Sequence, residues 1–186
     1  MPAKRFFVIL IIIQLIILSL INKISIINNQ NNIFGELITI NENILHPQSF
    51  EFYTEKEEIL QSLESSGKNI KIFEDTNQIV TDADTANWGI ETETVEVLNL
   101  WDDQLCSIQY MIEFDSENKD TYCDRVWEDA LSFFPSEMMY SITKGINSSE
   151  IAQWQDQKGN LVSIYLAPKQ SQGKECIIIQ IMAGRI

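Results

Sequence analysis

Hydrophobic positions divide this chain into an apolar opening and a longer stretch of alternating apolar and polar residues. Between residues 6 and 21 only Gln14 and Ser19 interrupt the apolar run, and Lys4 and Arg5 precede it. Sixteen helical residues rise about 24 Å, a little short of the roughly 30 Å hydrocarbon core. Ile24, Ile26 and Ile27 extend the run while Lys23 reaches back to the interface. No 3.6-residue polar period marks it as a buried core helix. In lipid only a helix satisfies every backbone group of one such segment, so 6–27 reads as a membrane-spanning signal-anchor. The positive start keeps the N-terminus cytoplasmic and sends the rest to the periplasmic or extracellular side. A cleaved signal peptide shares the charged start and the apolar run. It needs a small-x-small site, and residues 22–26 (Asn-Lys-Ile-Ser-Ile) offer none.

Residues 1–27 are thus expected as anchor and 28–47 as linker and stalk, the latter opening on the low-complexity Asn-Asn-Gln-Asn-Asn at 28–32. A capping box at Thr54 and Glu57 predicts a helix, continued by Ile59, Leu60 and Leu63 and stopped at Gly67. A strand is expected at 70–73, a polar turn region over 75–87 and a strand region over 88–100. Asp102-Asp103-Gln104 predicts a turn. The strand after it has the clearest period of two: Cys106, Ile108, Tyr110, Ile112 and Phe114 alternate with Ser107, Gln109, Met111 and Glu113. A second helix is expected over 120–134, with Tyr122, Val126, Ala130 and Phe133 on one stripe and Pro135 ending it. Strands follow at 151–155, 161–166 and 176–182, with Gly159-Asn160 in a turn.

One offset recurs. Thr54 and Asp120 at the helix starts, Trp88 and Trp154, and the strands 95–100 and 161–166 are each separated by 66 residues. The fold expected is α+β: the N-terminal membrane helix, then two helix-plus-three-strand repeats (about 48–116 and 117–186) with helices on one face of an antiparallel sheet. The order helix, strand, Trp, strand, acidic turn, strand, carried by 50–63, 88–114 and 154–182, resembles the tandem units of beta-lactamase-inhibitor-protein-like domains and outer-membrane assembly lipoproteins. That resemblance implies protein–protein recognition. The chain departs from it in lacking a lipid-accepting Cys after the apolar run, and no lactamase-contacting residue is matched.

Charge narrows the partner. Every Asp and Glu lies at Glu36 or later, and beyond Lys23 the chain carries 10 basic against 27 acidic residues, a net of −17. Such a surface repels phosphate backbones, so nucleic acid is not an expected partner and a basic protein is. Three cysteines (Cys106, Cys123, Cys176) have no metal-type spacing. Cys106 and Cys176 both read as strand residues and are a candidate disulfide, against three buried small hydrophobes as the alternative.

Candidate chemistry is sparse. The lone His46 has no second His and no GxSxG elsewhere, and precedes Pro47 in the expected stalk. Asp82, Asp84 and Glu93 have the first, third and twelfth positions of a calcium loop, but Ala86 and Asn87 stand where an oxygen ligand and the turn Gly belong. Trp101, Asp102 and Asp103 sit together at a hairpin tip; the Asp pair reads as turn chemistry and Trp101 as the best exposed contact. Asn147-Ser148-Ser149 is a glycosylation acceptor pattern. No catalytic, metal or cofactor assignment follows. The expected function is a non-catalytic, membrane-anchored extracytoplasmic module that binds a protein or assists envelope assembly. A carboxylate-dependent hydrolase and a ligand-sensing subunit of a membrane complex are the alternatives.

Overall fold

The computed structural model describes residues 32–83, 93–144, 150–167 and 174–184. It opens with helix α1 (Ile33–Leu37) and the hairpin of β1 (Ile38–Asn41) with β2 (Ile44–Pro47). Helix α2 (Lys56–Ser65) is followed by β3 (Ile70–Phe73), β4 (Gln78–Asp82), β5 (Glu93–Trp101) and β6 (Gln104–Asp115). Helix α3 (Lys119–Phe133) is followed by β7 (Met139–Lys144), β8 (Glu150–Gln155), β9 (Leu161–Ala167) and β10 (Lys174–Met182). Strands β3 to β10 form one sheet in the order β3-β4-β5-β6-β10-β9-β8-β7, antiparallel at every junction. Helices α2 and α3 are therefore each followed by a four-stranded meander, and the two meanders join through their last strands.

This corrects the expected architecture. The described chain is mostly one large eight-stranded antiparallel sheet with few helices, and each meander has four strands where three were expected. Strand β4 was hidden because its five residues sit in a polar stretch behind the left-handed turn at Asn77 (φ 50°). Strand β7 (Met139–Lys144), also not expected, is an edge strand that follows Pro135. Among the described residues no helix is long and apolar enough to cross a membrane, and the run 6–27 lies outside them.

One face of the sheet carries the core. Leu98, Ile108, Ile112, Ile177, Ile179, Ile181 and Val162 are buried against Ile59 and Leu63 of α2 and Tyr122, Val126 and Ala130 of α3. The alternation of β6 holds from Ile108 to Phe114 and breaks at its start. Asn99 pairs with Ser107 but Leu100 with Leu105, so Cys106 is the extra residue of a bulge and Leu105 takes the inward place. The β5–β6 turn has Asp102 and Asp103 both at positive φ (54° and 59°), the backbone of a two-residue type I′ hairpin, which Asp tolerates.

Residues 33–47, expected as stalk, are core. Ile33, Phe34, Leu37, Ile38 and Leu45 are almost fully buried. Asn32, expected in the linker, caps α1 by accepting from the Phe34 N–H (2.9 Å), while its amide donates to the Asp129 carbonyl (2.8 Å). The capping box at Thr54 is not made: the Thr54 hydroxyl donates to the Glu51 carbonyl, and α2 starts at Lys56. Backbone pairing with the β5–β6 hairpin takes its place, with Tyr53 N–H donating to Leu105 O (2.8 Å) and Lys56 N–H to Asp103 O (2.9 Å). At the far end of α2, Gly67 (φ 71°) closes a Schellman turn through its N–H to Glu64 O and the Lys68 N–H to Leu63 O.

A polar clamp locks the hairpin β1–β2, the β8–β9 turn and the C-terminal strand exit together. Buried Asp156 accepts from the backbone N–H groups of Leu45 (2.9 Å), Lys158 (2.8 Å) and Asn160 (2.8 Å), and from the Asn160 side-chain amide (2.8 Å). Asn160 in turn accepts from Gly184 N–H (2.7 Å). A Cβ at Gly184 would stand 2.2 Å from the Lys158 carbonyl oxygen, so only glycine permits this approach. Asp156→Ala strands four buried donors. It is expected to cost about 3 kcal/mol and to lower the thermal midpoint by about 6–12 °C, measured by circular dichroism. A shift under about 2 °C would show that the clamp is not a structural anchor.

Candidate functional site

The sequence-predicted residues fall in separate places. Trp101, at the end of β5, is 76% exposed beside the Asp102-Asp103 turn, and the backbone of that turn is engaged by Lys56. Lys56 also pairs with Glu74 at 2.7 Å, and its ammonium is held above the ordinary lysine range, first by that hydrogen bond. The Asp pair is thus a turn that also caps α2, and Trp101 stands alone at its tip.

Asp82 and Glu93 do not face each other as ligands. Asp82 accepts from the Asn69 amide (2.8 Å), Glu93 pairs with Lys174 (3.3 Å), and Asp84 lies outside the described residues. Among the described residues no group of acidic, His or Cys side chains is arranged to hold a metal ion. His46 lies on β2, 3.6 Å from Glu51. Trp154 is buried and stacks on Phe134 at 4.8 Å, while Trp88 and Asn147-Ser148-Ser149 lie outside the described residues.

The Cys106–Cys176 disulfide is excluded. Cys176 pairs with Glu113 across the β6–β10 ladder, seven residues along β6 from Cys106, a separation of about 23 Å where a disulfide tolerates under about 7 Å between Cα atoms. All three cysteines are free thiols, and burial pushes each one up, Cys176 to about 11 with a further contribution from Glu113.

The second face of the sheet carries a lateral polar ladder. Gln78 donates to Asn99 (2.8 Å), and Asn99 and Gln180 both donate to the Ser107 hydroxyl (3.3 and 3.2 Å); further along, Gln153 donates to Ser163 (3.2 Å). These amides and hydroxyls satisfy one another, so the ladder fastens neighbouring strands. On the core face, Glu96 is buried with its Oε1 accepting from Ser49 (2.5 Å) and Tyr110 (2.9 Å). Burial and the Glu96 charge together hold the Tyr110 phenol well above its usual range. This cluster pins the segment after β2 to the sheet.

What remains open is the flank of α3. Its stripe Tyr122–Val126–Ala130 enters the core, and Cys123, Trp127 and Leu131 follow at helical spacing on the side facing β7. There the helix and sheet part to leave a cleft of about 330 Å³ with Val126, Trp127, Ile142, Ala152, Ile164 and Leu166 among its walls. Asp124, also in its lining, is exposed, and Asp120 and Asp124 both act on the Cys123 thiol. Of its walls Ile142 is 53% exposed, and Leu131, one helical turn beyond Trp127 on α3, is 52% exposed. A chain of rings runs from buried Phe34 through Phe134 and Trp154 (centroids 5.2 and 4.8 Å) to Tyr140 of β7 (5.0 Å), and Trp127 of the cleft wall packs against both Trp154 and Tyr140 (6.2 Å each).

Sequence reading missed this groove. The alternation of Tyr140 and Ile142 is its available signal, in a stretch that follows Pro135. A raised thiol pKa makes Cys123 a poor nucleophile, so the groove suits binding by shape and apolar contact. The buried thiols give a check. Cys176, with its pKa near 11, is expected to react with iodoacetamide at pH 8 about a hundredfold more slowly in the folded chain than in urea. The same raised value means that its contribution to stability is present below pH 9.0 and is lost as pH rises toward 11, so alkaline unfolding of the wild type should begin in that window. Equal alkylation rates folded and unfolded would contradict the burial.

Comparison with protein-family models, with curated proteins and with solved structures gives no match for this chain.

Proposed function

We infer that this chain is a non-catalytic binding module, carried on a membrane anchor outside the cytoplasm, that captures a protein partner at the groove between α3 and β7. The observation supporting the reading is the pairing of an apolar cleft of about 330 Å³ with an exposed aliphatic wall residue, Ile142, and a second exposed aliphatic, Leu131, one helical turn beyond the cleft residue Trp127. Solvent-facing aliphatics beside an apolar cleft are costly to a soluble surface unless a partner covers them. The formal charge of −17 beyond Lys23 favours a basic partner and steers it at low ionic strength. The anchor rests on the apolar run 6–27 behind Lys4 and Arg5.

Two measurements test this. Full-length chain expressed in cells is expected to sediment with membranes and to resist alkaline extraction, with its C-terminal part digested by protease added from outside the cytoplasm. Full-length chain recovered in the cytosolic fraction would end the anchor reading. For binding, the detergent-solubilised chain is expected to retain a partner that is lost with Leu131→Glu or Ile142→Glu. That partner should also weaken when salt rises from about 0.05 to about 0.5 M. Retention unchanged by both variants, or lost with Trp101→Ala alone, would remove the groove as the site.

A further inference from the structure

Strand β7 ends the eight-stranded sheet, and among the described residues no strand pairs with its outer side. Protein sheets blunt such edges with short length, mid-strand charge, proline or a bulge. The opposite edge, β3, has two of these: it is four residues long and carries Lys71 within it. Strand β7 has none in its interior. Six residues pair with β8 in unbroken register from Met139↔Gln155 to Lys144↔Glu150, with no proline and no bulge. Its sequence Met-Tyr-Ser-Ile-Thr-Lys carries one charge, at the last position.

The same edge is the rim of the apolar cleft. Tyr140 and Ile142 alternate onto the face that α3 covers, and Ile142 lines the cleft at the point where it opens. A strand laid along β7 would put its own alternate side chains beside Ile142 and toward the mouth of the cleft. Asp124 on α3 lines the same cleft as an exposed carboxylate, with Asp120 one turn before it.

Resting on the binding reading above, we propose that the partner docks by strand addition: an extended peptide segment pairs with the outer edge of β7. Its apolar residues at every second position cover Ile142 and Leu131, and a Lys or Arg beside them meets Asp124. Main-chain hydrogen bonds to β7 supply affinity that is independent of side chains, and the cleft selects apolar residues at alternate positions. The carboxylates select against acidic segments. The occupant is a segment of a second protein; the chain's own N-terminal run and a second copy of β7 are the competing occupants that the test separates.

The probe is a synthetic heptapeptide with Lys at both ends and Val alternating with Thr between them. It is titrated into the full chain in detergent micelles and read by tryptophan fluorescence and calorimetry. Saturable binding is expected, with a Kd on the order of 0.1 mM. Ile142→Glu is expected to weaken it at least tenfold, and Asp124→Lys about fivefold, with unfolding midpoints of both variants close to wild type because both side chains are exposed. The decisive comparison uses two N-methylated versions of the peptide, one blocking each set of alternate amides. Strand addition requires that one version loses binding and the other retains it, because only one set of amides faces β7.

Equal binding of both versions would overturn strand addition, as would binding of a scrambled peptide with the same composition. Absence of saturation up to about 2 mM would overturn it too, and sedimentation or cross-linking from position 142 would then show whether a second copy or the chain's own run 6–27 holds the edge. If a captured partner depends on Leu131 while both N-methylated peptides bind alike, the binding module stands and strand addition falls. If neither partner nor peptide binds, both fall.

Discussion

The ladder between β6 and β10 is the constraint on which the rest of the molecule depends. It runs from Lys174↔Asp115 to Met182↔Ser107 and is the junction through which the two meanders become one sheet. The inward residues include Ile108, Ile112, Ile177, Ile179 and Ile181, all almost fully buried, with Tyr110 and Phe114 completing the inward face of β6. Burying one large aliphatic side chain stabilises by about 1.5–3 kcal/mol. The centre of the fold is therefore a row of isoleucines whose β-branched side chains both favour the extended backbone and fill the space beneath α2 and α3.

From that centre the sheet becomes steadily less covered. Helices α2 and α3 each lie over one meander, and α1 with the β1–β2 hairpin fills the space beside α3. A helix is about 10 Å wide, two strand spacings, whereas each meander is four strands across. The outermost strands must emerge from under the helices, and Ile72 of β3 and Ile142 of β7 do so, at 44% and 53% exposure. The two edges differ in what lies beside them. Next to β7, Trp127 of α3 packs on Trp154 and Tyr140 and also forms a wall of the cleft. The groove is thus a consequence of an eight-stranded sheet served by too few helices.

Polar groups on both faces serve strand order. The Gln78–Asn99–Ser107–Gln180 contacts tie four strands across both meanders on the second face. Glu96, Tyr110 and Ser49 tie the chain after β2 to the core face. The clamp of Asp156 and Asn160 closes the molecule by joining β2, the β8–β9 turn and Gly184. Each set contains a contact between residues far apart in sequence, Gln180 to Ser107, Ser49 to Glu96 and Leu45 to Asp156, of which the sequence neighbours give no hint.

The amino-acid sequence by itself determined the local elements whose signals are local: the period of two in β6, the Asp102-Asp103 turn, the Gly67 stop and the apolar stripe of α3. Backbone preference and alternation act within a few residues, so one chain suffices to read them. Tertiary structure alone decided that 33–47 belongs to the core, that each meander has four strands, and that Cys106 and Cys176 lie far apart. It also decided that the open groove lies beside β7 and not at Trp101. Those outcomes depend on which distant strand pairs with which and on how much sheet two helices can cover, and neither quantity is written in any short window of residues.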